Sequence, residues 1–575
     1  MSGTHNANNQ EWCMMKSIGS VAVMLLAAPW IAFAQQVPGT VSPGQIERQF
    51  ETPPEARAVD DQIIVQAPTQ EPPPNAAELQ ISVSRIQITG ATVYLENELK
   101  NATANPEGQT VPLTRIYALA NAISAKYRND GYVLSRAIVP EQRFDKDAAD
   151  VEITVVEGYV SAVDFEGVNK GRGPLIRRMA DDVSGERPHR QDSLERFLLL
   201  LNDMPGKTAS GTYVPVENQP GAFRVLVSHS QNSVDFLLGQ TNRGSEILGP
   251  EQTELGVTLN SVFGGQEQTN IRYISSDFDE QLNLLSVGQS LWLGKSGAKL
   301  TWNYSDTQSA PEFQDAFLAF SNLETESTTA TVGLEFPLKR SRRSNVDLRF
   351  NVSQHEGVTQ DLLFGDREDR ITSFRAGLTA DWVDGLRGIN IVDIEFSKGI
   401  DALDASQPGD AALSRDGGRP DYWKARTYLA RVQSLGGPVS LLLALEGQYS
   451  DDILLASEQY GIGGPTFVRG YDASEIVGDS GAAAKAELRV NFGSVEDSGS
   501  RGMLYAFYDQ GWVRREIAVI GQPDEESRSS AGAGLRFTLW GRLSGYVEAA
   551  TPLDEPVALE QSDDTRVFGG VTIQF

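Results

Sequence analysis

Ala484–Phe492 reads AKAELRVNF. Successive side chains of an extended strand point to opposite faces. Ala484, Ala486, Leu488, Val490 and Phe492 therefore share one face, and Lys485, Glu487, Arg489 and Asn491 share the other. The same alternation recurs in NVDLRFNVS (Asn345–Ser353) and AGAGLRFTL (Ala531–Leu539), each with an apolar face opposite one that carries full charges. A soluble sandwich would bury the apolar face and wet the other. A membrane barrel would turn the apolar face to lipid and the charged face to an aqueous lumen.

The connections discriminate between these. Counting back from Phe575, about sixteen alternating segments of roughly ten residues follow one another, the length that crosses a bilayer when tilted. Short connections (Phe263–Glu267, Gly294–Gly297, Lys339–Arg343, Val383–Arg387, residues 436–438 and Gly541) alternate with long polar ones. The long ones are Thr307–Glu326, His355–Asp369, Lys398–Trp423, Ser450–Gly481 and Arg514–Ser530. Short turns on one side and long loops on the other predict an outer-membrane β-barrel over residues 233–575. An even strand count returns both barrel ends to the periplasmic side. The terminal RVFGGVTIQF sets Val567, Val571, Ile573 and Phe575 outward and ends on an aromatic residue.

Upstream the texture differs. Lys16, the apolar run Ile18–Ile31 and Ala32-Phe33-Ala34 predict a secretory signal over residues 1–34, cleaved after Ala34. Cys13, the only cysteine, would leave with it, so no disulfide or thiolate metal site is expected. Residues 35–78 are Pro-rich and read as an extended linker. Within it, the stretch after Pro43 is helix-compatible up to Pro53. So short a helix is marginal in water and needs a docking site. Ile81–Thr92 alternates as a strand, Leu113–Gly131 has helical spacing closed by glycine, and two more strands follow. A second such unit begins at Gly158 and includes the helix Asp192–Asn202 and the strand FRVLVSHS (Phe223–Ser230). Two α+β domains are thus expected, over 79–157 and 158–232.

The net charge of −28 excludes a nucleic-acid binder, which needs a basic face. The histidines at 5, 189, 229 and 355 have no metal-ligand spacing. No phosphate-binding glycine loop and no nucleophile elbow is present. No catalytic residue, metal or cofactor is expected.

The stretch GGPTFVRGYDASE (Gly463–Glu475) falls in a long connection, and FYDQG (Phe507–Gly511) on a strand. Together, VRGY (Val468–Tyr471) and the F-x-D-x-G pattern of Phe507, Asp509 and Gly511 resemble the outer-membrane transporters of two-partner secretion. That family lies within the insertase superfamily, and the resemblance extends over nearly the whole chain. It implies a signal, a possible plug helix, two POTRA domains and a sixteen-stranded barrel. It also implies that the loop folds into the lumen, with Arg469 paired to Asp509. Glu487 and Arg489 could extend that network, Gly470 would permit a tight tip, and Tyr471 would pack on the wall. Terminal Phe575 would serve as an assembly signal read by the barrel assembly machinery. The implied function is export of a large partner exoprotein, an adhesin or haemolysin, recognised as unfolded chain by strand addition to the POTRA domains. Phe223–Ser230 and the helix Asp192–Asn202 are the candidate contact elements. The barrel is expected to act alone in the outer membrane. The alternative is a factor that inserts other barrels, although such relatives usually carry three or more POTRA domains.

Overall fold

The computed structural model describes residues 39–42, 44–59, 70–143, 145, 148–166, 173–276, 281–313, 319–363, 365–494, 499–517, 523–555 and 564–575. The expected signal, its cleavage position and Cys13 lie outside these residues. The first described helix is α1 (Gln45–Gln49). The first α+β domain comprises β1 (Gln80–Thr89), α2 (Glu96–Ala102), β2 (Thr110–Pro112), α3 (Leu113–Asn129), β3 (Arg136–Ile138) and β4 (Ala149–Val156). Its sheet runs β2-β1-β4-β3, with β1 and β4 parallel. The helical spacing in α3 places Ile116, Leu119, Ile123 and Tyr127 in the core with Val83, Ile86 and Ile153.

The second domain comprises β5 (Tyr159–Phe165), α4 (Pro174–Gly185), α5 (Gln191–Asn202), β6 (Lys207–Pro215) and β7 (Ala222–Gln231). Its sheet order is β5-β7-β6. This corrects one expectation. The strand Phe223–Ser230 is the central one, hydrogen-bonded on both sides, so it has no free edge for a client strand. Helix α5 is also engaged. Arg196 donates to the Ser296 carbonyl at 3.1 Å, and Glu195 accepts from the Arg342 amide at 2.7 Å. Beside them, Arg340 forks onto Asp203 at 2.7 and 2.8 Å. Trp292, at a strand end, packs into the domain's own core with Leu200 and Phe197. The short barrel turns therefore seat on this domain.

The barrel strands are β8 (Val234–Thr241), β9 (Gln252–Asn260), β10 (Glu267–Ser276), β11 (Leu282–Trp292), β12 (Lys299–Ser309), β13 (Glu324–Arg340), β14 (Ser344–Gln360) and β15 (Arg367–Val383). They continue as β16 (Gly388–Gly399), β17 (Trp423–Gly436) and β18 (Val439–Tyr449). A two-stranded hairpin, β19 (Tyr460–Ile462) with β20 (Ile476–Gly478), interrupts the series inside a long loop. Then come β21 (Ser480–Ser494), β22 (Ser500–Arg514), β23 (Glu525–Leu539), β24 (Leu543–Pro552) and β25 (Arg566–Gln574). Sixteen antiparallel strands close the barrel, with β25 joined to β8. Leu488, Phe492, Leu504, Tyr508 and Trp512 are exposed on its outside, as their alternation requires. Among the described residues no helix is long and apolar enough to cross a membrane.

Strand lengths depart from the expected ten residues. β13, β14 and β15 have 17 residues each. Seventeen residues exceed the roughly 9–11 that cross a bilayer when tilted, so the sheet continues past it and the connection expected over His355–Asp369 shrinks to residues 361–366. Likewise the loop expected over Arg514–Ser530 is only 515–524. Alternation continues unbroken past the membrane surface, and composition does not mark the border.

Residues 39–42 and 44–59 lie in the lumen. α1 buries Ile46 against Leu248, Leu282 and Leu323. Gln45 donates to the Ala456 and Gln459 carbonyls at 2.9 Å each. Glu47 accepts from Ser327 at 2.8 Å, Thr329 at 2.9 Å and Thr307 at 3.3 Å. The chain then runs extended towards the short turns. There Arg57 pairs with Asp347, the Ala58 amide donates to Asp381 at 2.5 Å, and the Val59 amide donates to the Arg342 carbonyl at 2.8 Å.

Candidate functional site

Inward parity on β21 and β22 places Glu487 directly across from Phe507, and Lys485 across from Asp509. The connection from β18 to β21 folds back into the barrel rather than outward. Its hairpin packs Tyr460, Ile462 and Ile476 against Ala483 and Val513 on the wall. Gly511 leaves room for this, because a Cβ there would lie 2.8 Å from the Ile462 side chain. At the tip, Gly463, Gly464 and Val468 take positive φ, and the Tyr471 amide closes a turn onto the Val468 carbonyl. Gly470 does not have positive φ. Its requirement is clearance, since a Cβ would sit 2.9 Å from the Pro552 nitrogen on β24. The tight tip expected of Gly470 is thus made by Val468, and Gly470 allows close approach to the wall.

Arg469 is 1 % exposed. Its Nε donates to Asp509 Oδ2 at 2.8 Å and its Nη2 to Asp509 Oδ1 at 3.0 Å, a two-point fork that matches the carboxylate plane. Its Nη1 reaches Glu487 at 2.6 Å and Glu548 at 3.4 Å. The guanidinium lies 3.5 Å from the centre of the Phe507 ring, a favourable position for a cation over an aromatic face. Arg489 and Arg536 hold the other side of Glu487 at 2.7 and 2.8 Å. Arg243 pairs with Glu548, and Tyr505 donates to the same carboxylate at 2.8 Å. Tyr471 donates to the Asp554 carbonyl at 2.8 Å, tying the tip to the loop after β24.

Val468, Arg469, Gly470, Tyr471, Phe507, Asp509, Gly511, Glu487 and Arg489 are thus brought together. Phe575 is elsewhere. It closes the barrel seam, where Phe236 and Phe575 exchange backbone hydrogen bonds at 2.9 and 3.1 Å and stack with ring centres 5.7 Å apart. Glu548, Tyr505, Arg243 and Arg536 are site residues that the sequence reading missed. Inward parity on their strands is the signal that could have nominated Glu548, Tyr505 and Arg536, whereas Arg243 lies in the connection after β8 and carries no such signal.

Burial of these ions makes geometry decisive. A buried pair adds little net stability, because desolvation offsets attraction, yet loss of one partner costs about 3–5 kcal/mol. Here Asp509, Glu487 and Glu548 are all at most 2 % exposed. Glu487 keeps Arg489 and Arg536, and Glu548 keeps Arg243, but Arg469 is the cation that forks onto Asp509 and joins all three. The cage fixes a long loop across the lumen at one register.

A closed barrel of this size, preceded by α+β domains seated on its short turns and crossed by a pinned loop, defines an outer-membrane transport pore. The haemolysin secretion/activation protein family, ShlB/FhaC/HecB, matches residues 224–537, and the ShlB-type POTRA domain matches residues 81–158. The chain belongs to that family. It is 23% identical over 491 residues to the heme/hemopexin transporter protein HuxB of Haemophilus influenzae, with 83% of this chain and 85% of the relative covered. It is 25% identical over 513 residues to the outer membrane transporter CdiB of Escherichia coli O6:K15:H31 strain 536, with 86% and 82% covered. The solved structure of CdiB from Escherichia coli matches over 100% of both chains with a TM-score of 0.70 at 20% identity, which shows a shared fold. The protein is an outer-membrane barrel transporter with its POTRA region in the periplasm.

Proposed function

We propose that the protein exports one large partner exoprotein, of adhesin or haemolysin type, from the periplasm to the cell surface. Family membership supports transport of a secreted partner. The observation that carries the mechanism is the lumenal arrangement: a pinned loop and the N-terminal segment around α1 share one polar channel. The wall side chains of that channel hold one another in ion pairs, such as Arg349 with Asp393 at 2.5 Å. An extended polypeptide therefore meets a surface whose charges are already matched. The two α+β domains act as a POTRA pair that receives the unfolded chain, and folding outside the cell supplies direction. The barrel works as a monomer, and Phe575 is read by the barrel assembly machinery when it is made.

The test is a comparison of culture supernatant and outer membrane with and without the gene. Loss of one large exoprotein, with other barrels intact, is expected. Broad depletion of outer-membrane barrels would instead make the protein an insertion factor.

A further inference from the structure

The outer wall of a barrel should be apolar where it faces lipid, and charges there are tolerated only near the interface. Arg431 on β17 and Asn390 on β16 are polar side chains on that outer wall, gathered near its periplasmic end. Both carry outward parity, in one row with Trp382 and Leu443. At a comparable height above the short turns, neighbouring strands present Leu348 and Leu504 outward. The Arg431 side chain bends down over Gly388, towards the periplasmic end. There it pairs with Asp384 of the β15–β16 turn and donates to Asn390 at 2.6 Å and to Gln433 at 2.5 Å. Asp384 also accepts from the Leu386 and Gly388 amides at 2.9 and 3.0 Å, which fixes it in place. The side chains of Arg431 and Asp384 remain 29% and 26% exposed.

Beside this polar group the outer wall carries an open depression. A trough of about 560 Å³ opens on the lipid side, with Arg431 and Asn390 at one end. Its floor is made by Ala484 and Ala486 of β21, and its sides by Leu429, Leu443, Leu445 and Tyr508. Short side chains on β21 between longer ones on β18 and β22 create the depression. A mostly apolar depression that includes Arg431 in its lining, with Asp384 paired to that arginine just beyond it, has the polarity of one amphiphile.

We propose that this is a binding site for a zwitterionic phospholipid with a primary-amine headgroup, drawn from the periplasmic leaflet. One acyl chain lies in the Ala484–Ala486 trough. The phosphate meets the guanidinium N–H groups that Asp384, Asn390 and Gln433 leave over, since a guanidinium carries five donors. The ammonium meets the exposed edge of Asp384. The site carries no net charge, which matches a neutral zwitterion rather than an anionic lipid. The bound lipid spans β16 to β22 on the outside, opposite the lumenal cage on β21 and β22.

Native mass spectrometry of the purified full-length protein tests this, with phosphatidylethanolamine, phosphatidylcholine and phosphatidylglycerol supplied in equal amounts. One phosphatidylethanolamine is expected to stay bound through detergent exchange. Ala484→Leu with Ala486→Leu, which fills the trough without touching the ion pair, and Arg431→Leu should each lower its occupancy at least fivefold. Arg431→Lys should restore part of it. Heat-modifiable mobility on gels checks that each variant barrel is folded. Equal retention of the three lipids, preference for phosphatidylglycerol, unchanged retention in both folded variants, or a protein partner in place of lipid would each overturn the proposal.

Discussion

Arg469 and Asp509 stand 40 residues apart in the chain and meet through two parallel hydrogen bonds at 2.8 and 3.0 Å, both residues almost wholly buried. Because the pair fixes register more than it stabilises, its removal should act mainly on transport. Arg469→Ala and Asp509→Ala should each abolish most secretion while the barrel remains in the membrane. Each should also lower thermal stability, by an amount bounded by about 3–5 kcal/mol. Arg469→Lys should fail to rescue, since an ammonium cannot fork onto Asp509 while also reaching Glu487. Secretion assays beside heat-modifiable mobility check both parts. Wild-type secretion from folded variants would refute the role.

The carboxylate of Glu47 has three hydroxyl donors around it, and among the described residues no cation is within salt-bridge distance. Hydrogen bonds to a charged group contribute about 1.5–3 kcal/mol each. Glu47→Ala should therefore shift the balance between seated and withdrawn segment by roughly tenfold or more, at 1.4 kcal/mol per decade. Planar-bilayer recordings should show more frequent open events than wild type. Unchanged open probability would show that the segment is held elsewhere.

Phe575 stacks on Phe236 across the seam, a contact worth about 0.5–1.5 kcal/mol, while the backbone bonds beside it do not depend on side-chain identity. Phe575→Ser should lower the yield of assembled barrel in cells yet leave the melting temperature of the purified barrel within a few degrees of wild type. A large loss of melting temperature would make Phe575 a structural seal rather than a signal.

His189, in the second α+β domain, is fully buried, with Nε2 3.0 Å from the Tyr213 hydroxyl. Burial pushes its pKa below the ordinary value, against the opposing pull of Glu186 and Asp192. The folded form thus binds the proton less readily than the unfolded chain. Stability rises with pH wherever the unfolded state holds more protons, so this domain keeps its full stability above about pH 6.5 and loses it as pH falls below that value. Hydrogen exchange over residues 174–231 of the full chain should speed up between pH 7.5 and 5.5 after correction for intrinsic rates. His189→Gln should flatten that dependence.

The barrel was readable because a period of two needs only a few residues to declare itself, as Ala484–Phe492 does. Parity also sets Asp509 opposite Tyr508 and Trp512, which face outward on β22. The Arg469–Asp509 partnership was less accessible, since spacing along the chain does not pair residues 40 apart, and it came from the resemblance carried by VRGY and F-x-D-x-G. Glu548 escaped because it lies on β24, and the stagger between strands that brings it to Arg469 leaves no trace in either strand. Gly470 shows a further limit. A glycine in a tip suggests a positive φ, but the demand here comes from Pro552, more than eighty residues away in sequence. The central place of Phe223–Ser230 was hidden for a similar reason, because strand order within a sheet is set by crossovers and not by composition.

Trp292 belongs to a barrel strand yet sits in the hydrophobic core of the second α+β domain. A side chain shared in this way leaves no slip plane between the two bodies. Traction applied to that domain by a captured chain would be delivered as a lever stroke to the base of β11, and onward through the Arg340–Asp203 fork to β13. The wall that would feel the pull also carries Thr307, Ser327 and Thr329 on β12 and β13, the three hydroxyls that grip Glu47.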